Sequence, residues 1–139
     1  MRSALLVLPI LVALGSGASL SQNIDTVMSA DEVEKEILGV HLSGVTGLND
    51  QPWSECIEPD GDTVFNHAGR QSVGQISIRP DGVACFNYEN VPSGRNCYSV
   101  SKTGAEGYQF TGVEPGANFL ATEVQRGIET CPKGPPAIG

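Results

Sequence analysis

Through the middle of this chain apolar and polar residues alternate in short runs, and each run is stopped by a turn signal. Trp53-Ser54-Glu55-Cys56-Ile57-Glu58 meets Pro59-Asp60-Gly61 and resumes alternating to Phe65. Gly74-Gln75-Ile76-Ser77-Ile78-Arg79 meets Pro80-Asp81-Gly82 and resumes to Phe86. Pro presets the first turn residue, Asp closes the turn with its side chain and Gly takes the left-handed position, so each copy reads as a β-hairpin. With Arg79 and Val83 flanking the second turn, Ile76, Ile78, Ala84, Phe86 and Tyr88 share one face. A third run, Asn96 to Val100, follows Val91-Pro92-Ser93-Gly94. Pairing it about Val91 sets Cys85 opposite Cys97 and Ala84 opposite Tyr98, which puts both cysteines on the other face.

Upstream, Ser29 and Glu32 form a capping box, and Val33, Ile37 and Leu38 make one apolar stripe before Gly39. This predicts a short helix that covers an end or edge of the sheet. Val40 to Val45 alternates weakly and reads as a first strand, broken by Gly44, Gly47 and Asn49-Asp50. Further strands are expected at 53–58, 63–67, 73–78, 83–88, 95–100 and 108–113, with Gly69 to Ser72 joining the first two hairpins. A strand over Asn118 to Arg126 is preferred to a short helix. Strands at this spacing imply a mainly β domain. The expected form is an antiparallel meander curling into a small barrel or half-barrel, with one short N-terminal helix.

Composition changes this picture in two respects. First, Met1 to Ala18 has a basic Arg2, an apolar Ala4–Leu14 core and a small-residue Ser16-Gly17-Ala18 site, the grammar of a secretory signal peptide. The core is too short to span a bilayer. The expected organisation is a signal peptide at 1–18, a linker at 19–28, one β domain at 29–131 and a flexible tail at 132–139, with a periplasmic or secreted location. Second, the chain is acidic. Without Arg2, seven basic residues face sixteen acidic ones, a net charge of −9. That charge disfavours nucleic acid and anionic lipid as partners and accommodates a basic one.

Four cysteines in an exported chain imply two disulfides, for which three connectivities exist. The cross-strand pairing favours Cys85–Cys97 and leaves Cys56 to join Cys131. No Cys-x-x-Cys pair occurs and neither His41 nor His67 has ligand-like spacing to a cysteine, so no zinc site is expected. Asp60-Gly61-Asp62 reads as a turn, because a calcium loop needs further oxygen ligands at set spacing. No nucleophile elbow, metal motif or nucleotide motif is present, so no catalytic residue, metal or cofactor is assigned. In the first hairpin, pairing Glu58 with Asp62 puts Trp53, Glu55, Ile57, Thr63, Phe65 and His67 on one face. Trp53, Glu55 and His67 then either line a small-molecule pocket in a barrel mouth or stand on a solvated rim with Trp53 covering the core.

The order acidic helix ending in Gly39, Trp53, Pro59-Asp60-Gly61, Gly74-Gln75-Ile76, Cys85 and Cys97-Tyr98 resembles small exported β-rich domains of unknown function from Gram-negative, mainly alphaproteobacterial, sources. The resemblance spans roughly residues 30–110 and implies a β-rich exported domain with no stated activity. Ser101-Lys102-Thr103-Gly104-Ala105-Glu106-Gly107-Tyr108 is similar to a loop of the periplasmic lysozyme inhibitors, disulfide-bearing β-barrels. That likeness implies an inhibitory loop carried by Ser101, Gly104 and Tyr108. Two functions of different class are therefore expected. One is a non-catalytic exported binding or accessory domain for a small molecule or an envelope protein; the other is an acidic inhibitor of a basic hydrolase such as lysozyme.

Overall fold

The computed structural model describes residues 26–92, 96–115 and 117–134, together with Gly15 and Gly17. The signal peptide expected at 1–18 otherwise lies outside these residues, as does the part of the expected tail beyond Gly134.

The helix α1 runs Ala30–Ile37 and starts as its sequence dictates. Ser29 accepts from the Glu32 backbone N–H, and Glu32 reaches back to the Ser29 N–H at 2.8 Å. Eight strands follow: β1 Val40–Thr46, β2 Pro52–Ile57, β3 Asp62–His67, β4 Arg70–Ile78, β5 Ala84–Tyr88, β6 Cys97–Thr103, β7 Gly107–Gly112 and β8 Asn118–Arg126. Each pairs antiparallel with the next, and β8 returns to β1, so the sheet is a closed barrel. Closure leaves no edge strand to protect.

Every hairpin register expected from turn chemistry is present. Trp53 faces His67, Glu55 faces Phe65, Ile76 faces Phe86 and Cys85 faces Cys97. Both disulfides form as paired above: Cys85–Cys97 across β5 and β6, and Cys56–Cys131 with Cα atoms 5.7 Å apart. Residues 118–126 are strand and not helix.

Two expectations need correction. The linker does not extend to residue 28. Val27 bridges to Ser101, and Met28 is buried with its N–H donating to Val100 O at 2.8 Å, because the chain must enter the barrel end before α1 can sit on it. The connection between the first two hairpins is Ala68-Gly69 and not Gly69 to Ser72, since β4 already begins at Arg70. Both turn residues have positive φ, +51° and +72°, the signature of a two-residue type I′ hairpin in which Ala is an unfavourable choice. Ala68→Asn should therefore stabilise the fold by about 0.5–1 kcal/mol; an unchanged or lowered denaturation midpoint would count against this turn. The first strand is present as expected and runs through Gly44 to Thr46. A Cβ on Gly44 would lie 1.8 Å from Leu120 O, and the β1–β8 register shifts between Ser43 and Gly44, passing over Thr122. Glycine lets β8 approach closely enough to close the barrel.

Inward residues form one core, in which Val33 and Ile37 of α1 meet Val40, Leu42, Ile57, Ala84, Val100 and Ala121. The helix thus plugs the end where β1 begins. It is held there by Glu36, which accepts from Tyr108 O–H at 2.7 Å and pairs with Lys102, while Arg126 donates to the Glu36 carbonyl at 3.0 Å and to the Tyr108 hydroxyl at 2.6 Å. Burial pushes the Glu36 carboxyl up, but Lys102 and Tyr108 outweigh it and hold it below the usual carboxylate range. Beyond β8 the chain runs along the outside of the barrel. Ile128 and Cys131 cover an outer patch of Cys56, Val64 and Val73, and the Cys131 N–H donates to Glu58 at 2.8 Å. Among the described residues no helix is long and apolar enough to cross a membrane.

Candidate functional site

The end opposite α1 is built differently. Its inward positions carry Trp53 on β2, Phe65 on β3, Tyr88 on β5, Tyr98 on β6 and Phe119 on β8, all with large rings. Trp53 meets Phe119 edge-on at 5.4 Å, Phe119 meets Tyr98 at 5.7 Å, and Phe65 bridges Trp53 and Tyr88 at 6.3 and 5.7 Å. These contacts are within the range favoured for aromatic pairs. The rings do not fill the barrel. They wall a cavity of about 70 Å³, floored by Leu42, Phe86 and Phe110 and edged by Asn96. Phe65, Tyr88 and Phe119 are only part-buried, so the cavity opens at this end, beside the described loop residues 47–51, 68–69, 89–92 and 113–115.

One carboxyl stands in this apolar wall. Glu55 is buried, and the rim placement considered from sequence does not hold for it, because barrel closure encloses the face that the hairpin register had only oriented. Tyr88 O–H donates to Glu55 Oε2 at 2.7 Å, and Thr63 Oγ1 is hydrogen-bonded to Oε1. Thr63 also reaches the Cys56 carbonyl at 3.0 Å. Tyr88 crosses from β5 to β2 because Gly74 lies between Thr63 and Tyr88 in the pairing row and presents no side chain. Nor can it carry one, since a Cβ there would fall 2.1 Å from Asn87 O.

Burial pushes the Glu55 carboxyl up to about 8, against the opposing pull of the Thr63 and Tyr88 hydroxyls. At neutral pH it is mostly a carboxylic acid. A protonated Glu55 suits the geometry: its O–H donates to Thr63 Oγ1 while Thr63 donates to the Cys56 carbonyl. Burial, followed by the nearby Glu55 charge, raises Tyr88 as well, keeping its phenol protonated.

Trp53 and Glu55 line the cavity; His67 does not. It stacks on Phe65 at 6.0 Å, beside the wall, and its Nε2 is buried without a partner. Trp53 Nε1 is also buried and unpaired, an unsatisfied donor in the wall. Sequence reasoning missed Tyr88, Tyr98, Phe110 and Phe119 as co-lining residues. The available signal was the inward stripe Ile76–Tyr88, which joins the first hairpin's face once both are placed on one closed sheet.

The loop residues Ser101 and Tyr108 lie inside the structure. Ser101 is buried beside Val27, and Tyr108 is held by Glu36 and Arg126. Gly104, Ala105 and Glu106 form the exposed tip between them. At the first Pro-Asp-Gly turn the Glu58, Asp60 and Asp62 carboxylates approach within 4.8 Å of one another. Each has a structural bond: Glu58 accepts from the Cys131 N–H, Asp60 from the Asp62 N–H at 3.0 Å and Asp62 from Gln75 at 2.8 Å. This is the turn that the sequence implied.

Comparison of the chain with protein-family models, with curated proteins and with solved structures finds no match.

Proposed function

We propose that this protein is a non-catalytic binding domain of an oxidising, extracytoplasmic compartment that holds a small molecule in the open end of its barrel. The observation that carries this reading is the aromatic-walled cavity around Glu55. Eight-stranded barrels have an interior that side chains just fill or that holds one small ligand, and here one half is filled by the helix plug and core while the other is not. The space, open at its mouth, suits a compact ligand that seats about one ring among the aromatic side chains. Two disulfides favour export, since such bonds persist where the medium is oxidising. Thr63 and Tyr88 hold both Glu55 oxygens, and among the described residues lining the cavity no histidine, serine or cysteine stands beside it as a nucleophile or second acid–base group. The inhibitor alternative draws on the acidic net charge and would have to use the tip at 104–106, because Ser101 and Tyr108 face inward.

Trp53 is the chain's one tryptophan and stands in the cavity wall, so its emission reports occupancy directly. Titration with indole-sized aromatic probes should shift or quench that emission saturably. Leu42→Phe, which fills part of the cavity from its floor, should weaken the response at least about tenfold while leaving the protein folded. Emission unmoved by such probes, with no small molecule seen in native mass spectrometry of the purified protein, would remove this reading.

A further inference from the structure

We infer that the ligand is an organic cation, an ammonium group carried on an apolar or aromatic body, seated against the rings with its charge toward the Glu55 carboxyl. The inference rests on the binding reading above and assigns the chemistry of the ligand. Three independent features point to it.

The first is the wall. Faces and edges of Trp53, Phe65, Tyr98 and Phe119 surround the space, and aromatic faces attract cations by their quadrupole, Trp most strongly. The second is the position of the carboxyl. Glu55 is the one acidic side chain lining the cavity, and both of its oxygens already have a hydroxyl neighbour able to donate to the ionised form. Those two bonds use two of about four acceptor sites, so an ionised Glu55 still has lone pairs for an incoming cation. The third is the mouth. Among the described residues of the four loops framing it, Asp50, Glu89 and Glu114 are exposed, with Arg70 the opposing charge at the start of β4. The same loops leave Leu48, Val91 and Val113 in solvent, three of the four large apolar side chains exposed among the described residues. The acidic and apolar points among these described residues favour the approach of an amphiphilic cation over that of an anion.

Binding then proceeds by proton exchange. In the empty cavity Glu55 is neutral and its proton rests between Oε1 and Thr63. When the cation enters, the carboxyl releases that proton to solvent, Thr63 turns its hydroxyl from the Cys56 carbonyl to Oε1, and Tyr88 continues to donate to Oε2. The titratable groups facing Glu55 are Tyr88 and Tyr98, both raised by burial in the first place, with His67 beside Phe65 on the same strand face. Neither tyrosine changes charge near neutrality.

Benzyltrimethylammonium tests this, because its charge does not titrate; neopentylbenzene is its neutral carbon isostere and acetophenone a neutral acceptor for Trp53 N–H. Calorimetric titration of the purified full-length protein should show cation affinity rising about tenfold per pH unit up to about pH 8 and levelling above it. Close to one proton should be released per cation bound at pH 7, read from buffers of different ionisation enthalpy. Glu55→Gln should abolish the pH dependence and the proton release, and Tyr88→Phe should move the plateau to higher pH. Neutral probes binding at least as tightly as the cation, or a flat pH profile in the wild type, would overturn the cation assignment while leaving the cavity reading intact. Absence of binding by all three probes would overturn both.

Discussion

Replacing Glu55 by Gln is expected to remove a pH dependence of stability worth about 4–5 kcal/mol between acid and mildly alkaline solution. In the unfolded chain this carboxyl loses its proton near its ordinary value of 4.5, whereas in the folded barrel burial keeps it protonated up to about 8. Between those limits the folded state binds a proton that the unfolded state does not. Raising the pH therefore favours unfolding, by up to about 1.4 kcal/mol per unit, until the folded carboxyl also ionises. The wild type should thus be most stable near pH 4.5–5 and lose stability steadily to about pH 8. Glu36 acts in the opposite sense, but only at lower pH, where its own depressed carboxyl takes up a proton. Gln keeps the size of the side chain and carries no charge, so the variant should be nearly level across the window and more stable than wild type at pH 8.5. Urea midpoints at half-unit pH intervals decide it. Parallel curves for the two proteins would mean that Glu55 is not buried as the barrel places it.

The second large effect belongs to the disulfides, and it should be unequal. Cys56–Cys131 spans 75 residues and Cys85–Cys97 spans 12. Chain-entropy closure of loops of these lengths contributes about 4.5 and about 3 kcal/mol respectively. The Cys56→Ala/Cys131→Ala pair should lose more than the loop difference alone, because it also frees the segment from Ile128 onward that covers Val64 and Val73. Against a whole-domain stability of roughly 5–15 kcal/mol, that loss brings the protein to the margin. The Cys85→Ala/Cys97→Ala pair sits on two strands already paired in register and should leave a folded barrel. Guanidinium denaturation of both double variants provides the comparison, and an equal or reversed order would show that the outer segment contributes nothing.

How far the sequence carries can be seen residue by residue. Pro59-Asp60-Gly61 and Pro80-Asp81-Gly82 define two registers outright, since turn geometry and side-chain alternation admit one solution each. Pairing the next run about Val91 sets Cys85 opposite Cys97, which leaves Cys56 for Cys131. The capping box at Ser29 locates the helix for the same reason: a local hydrogen-bond pattern needs no tertiary information. What remained hidden depends on closure. A hairpin register says that Glu55 shares a face with Trp53 and Phe65, but whether that face is enclosed depends on β6, β7 and β8. The β1–β8 pairing is masked by Gly44 and by the bulge at Thr122, which interrupt the alternation where the barrel joins. The Tyr88–Glu55 contact is hidden in the same way, because it exists only where the missing side chain of Gly74 lets a ring reach across an intervening strand.

The join between β1 and β8 also governs how this molecule can be made. Seven of the eight strand pairings link neighbours in sequence and can form as each hairpin emerges, but the eighth unites Val40 with Arg126. Until the final strand has left the ribosome, the growing sheet has two free edges and its aromatic face stands open to water. A chain caught at that stage is at its most exposed to pairing with another copy of itself. Cys131 lies beyond β8, which ends at Arg126, so the ring can close before that cysteine is made, and the Cys56–Cys131 bond acts as a latch on a finished object and not as a guide to its assembly.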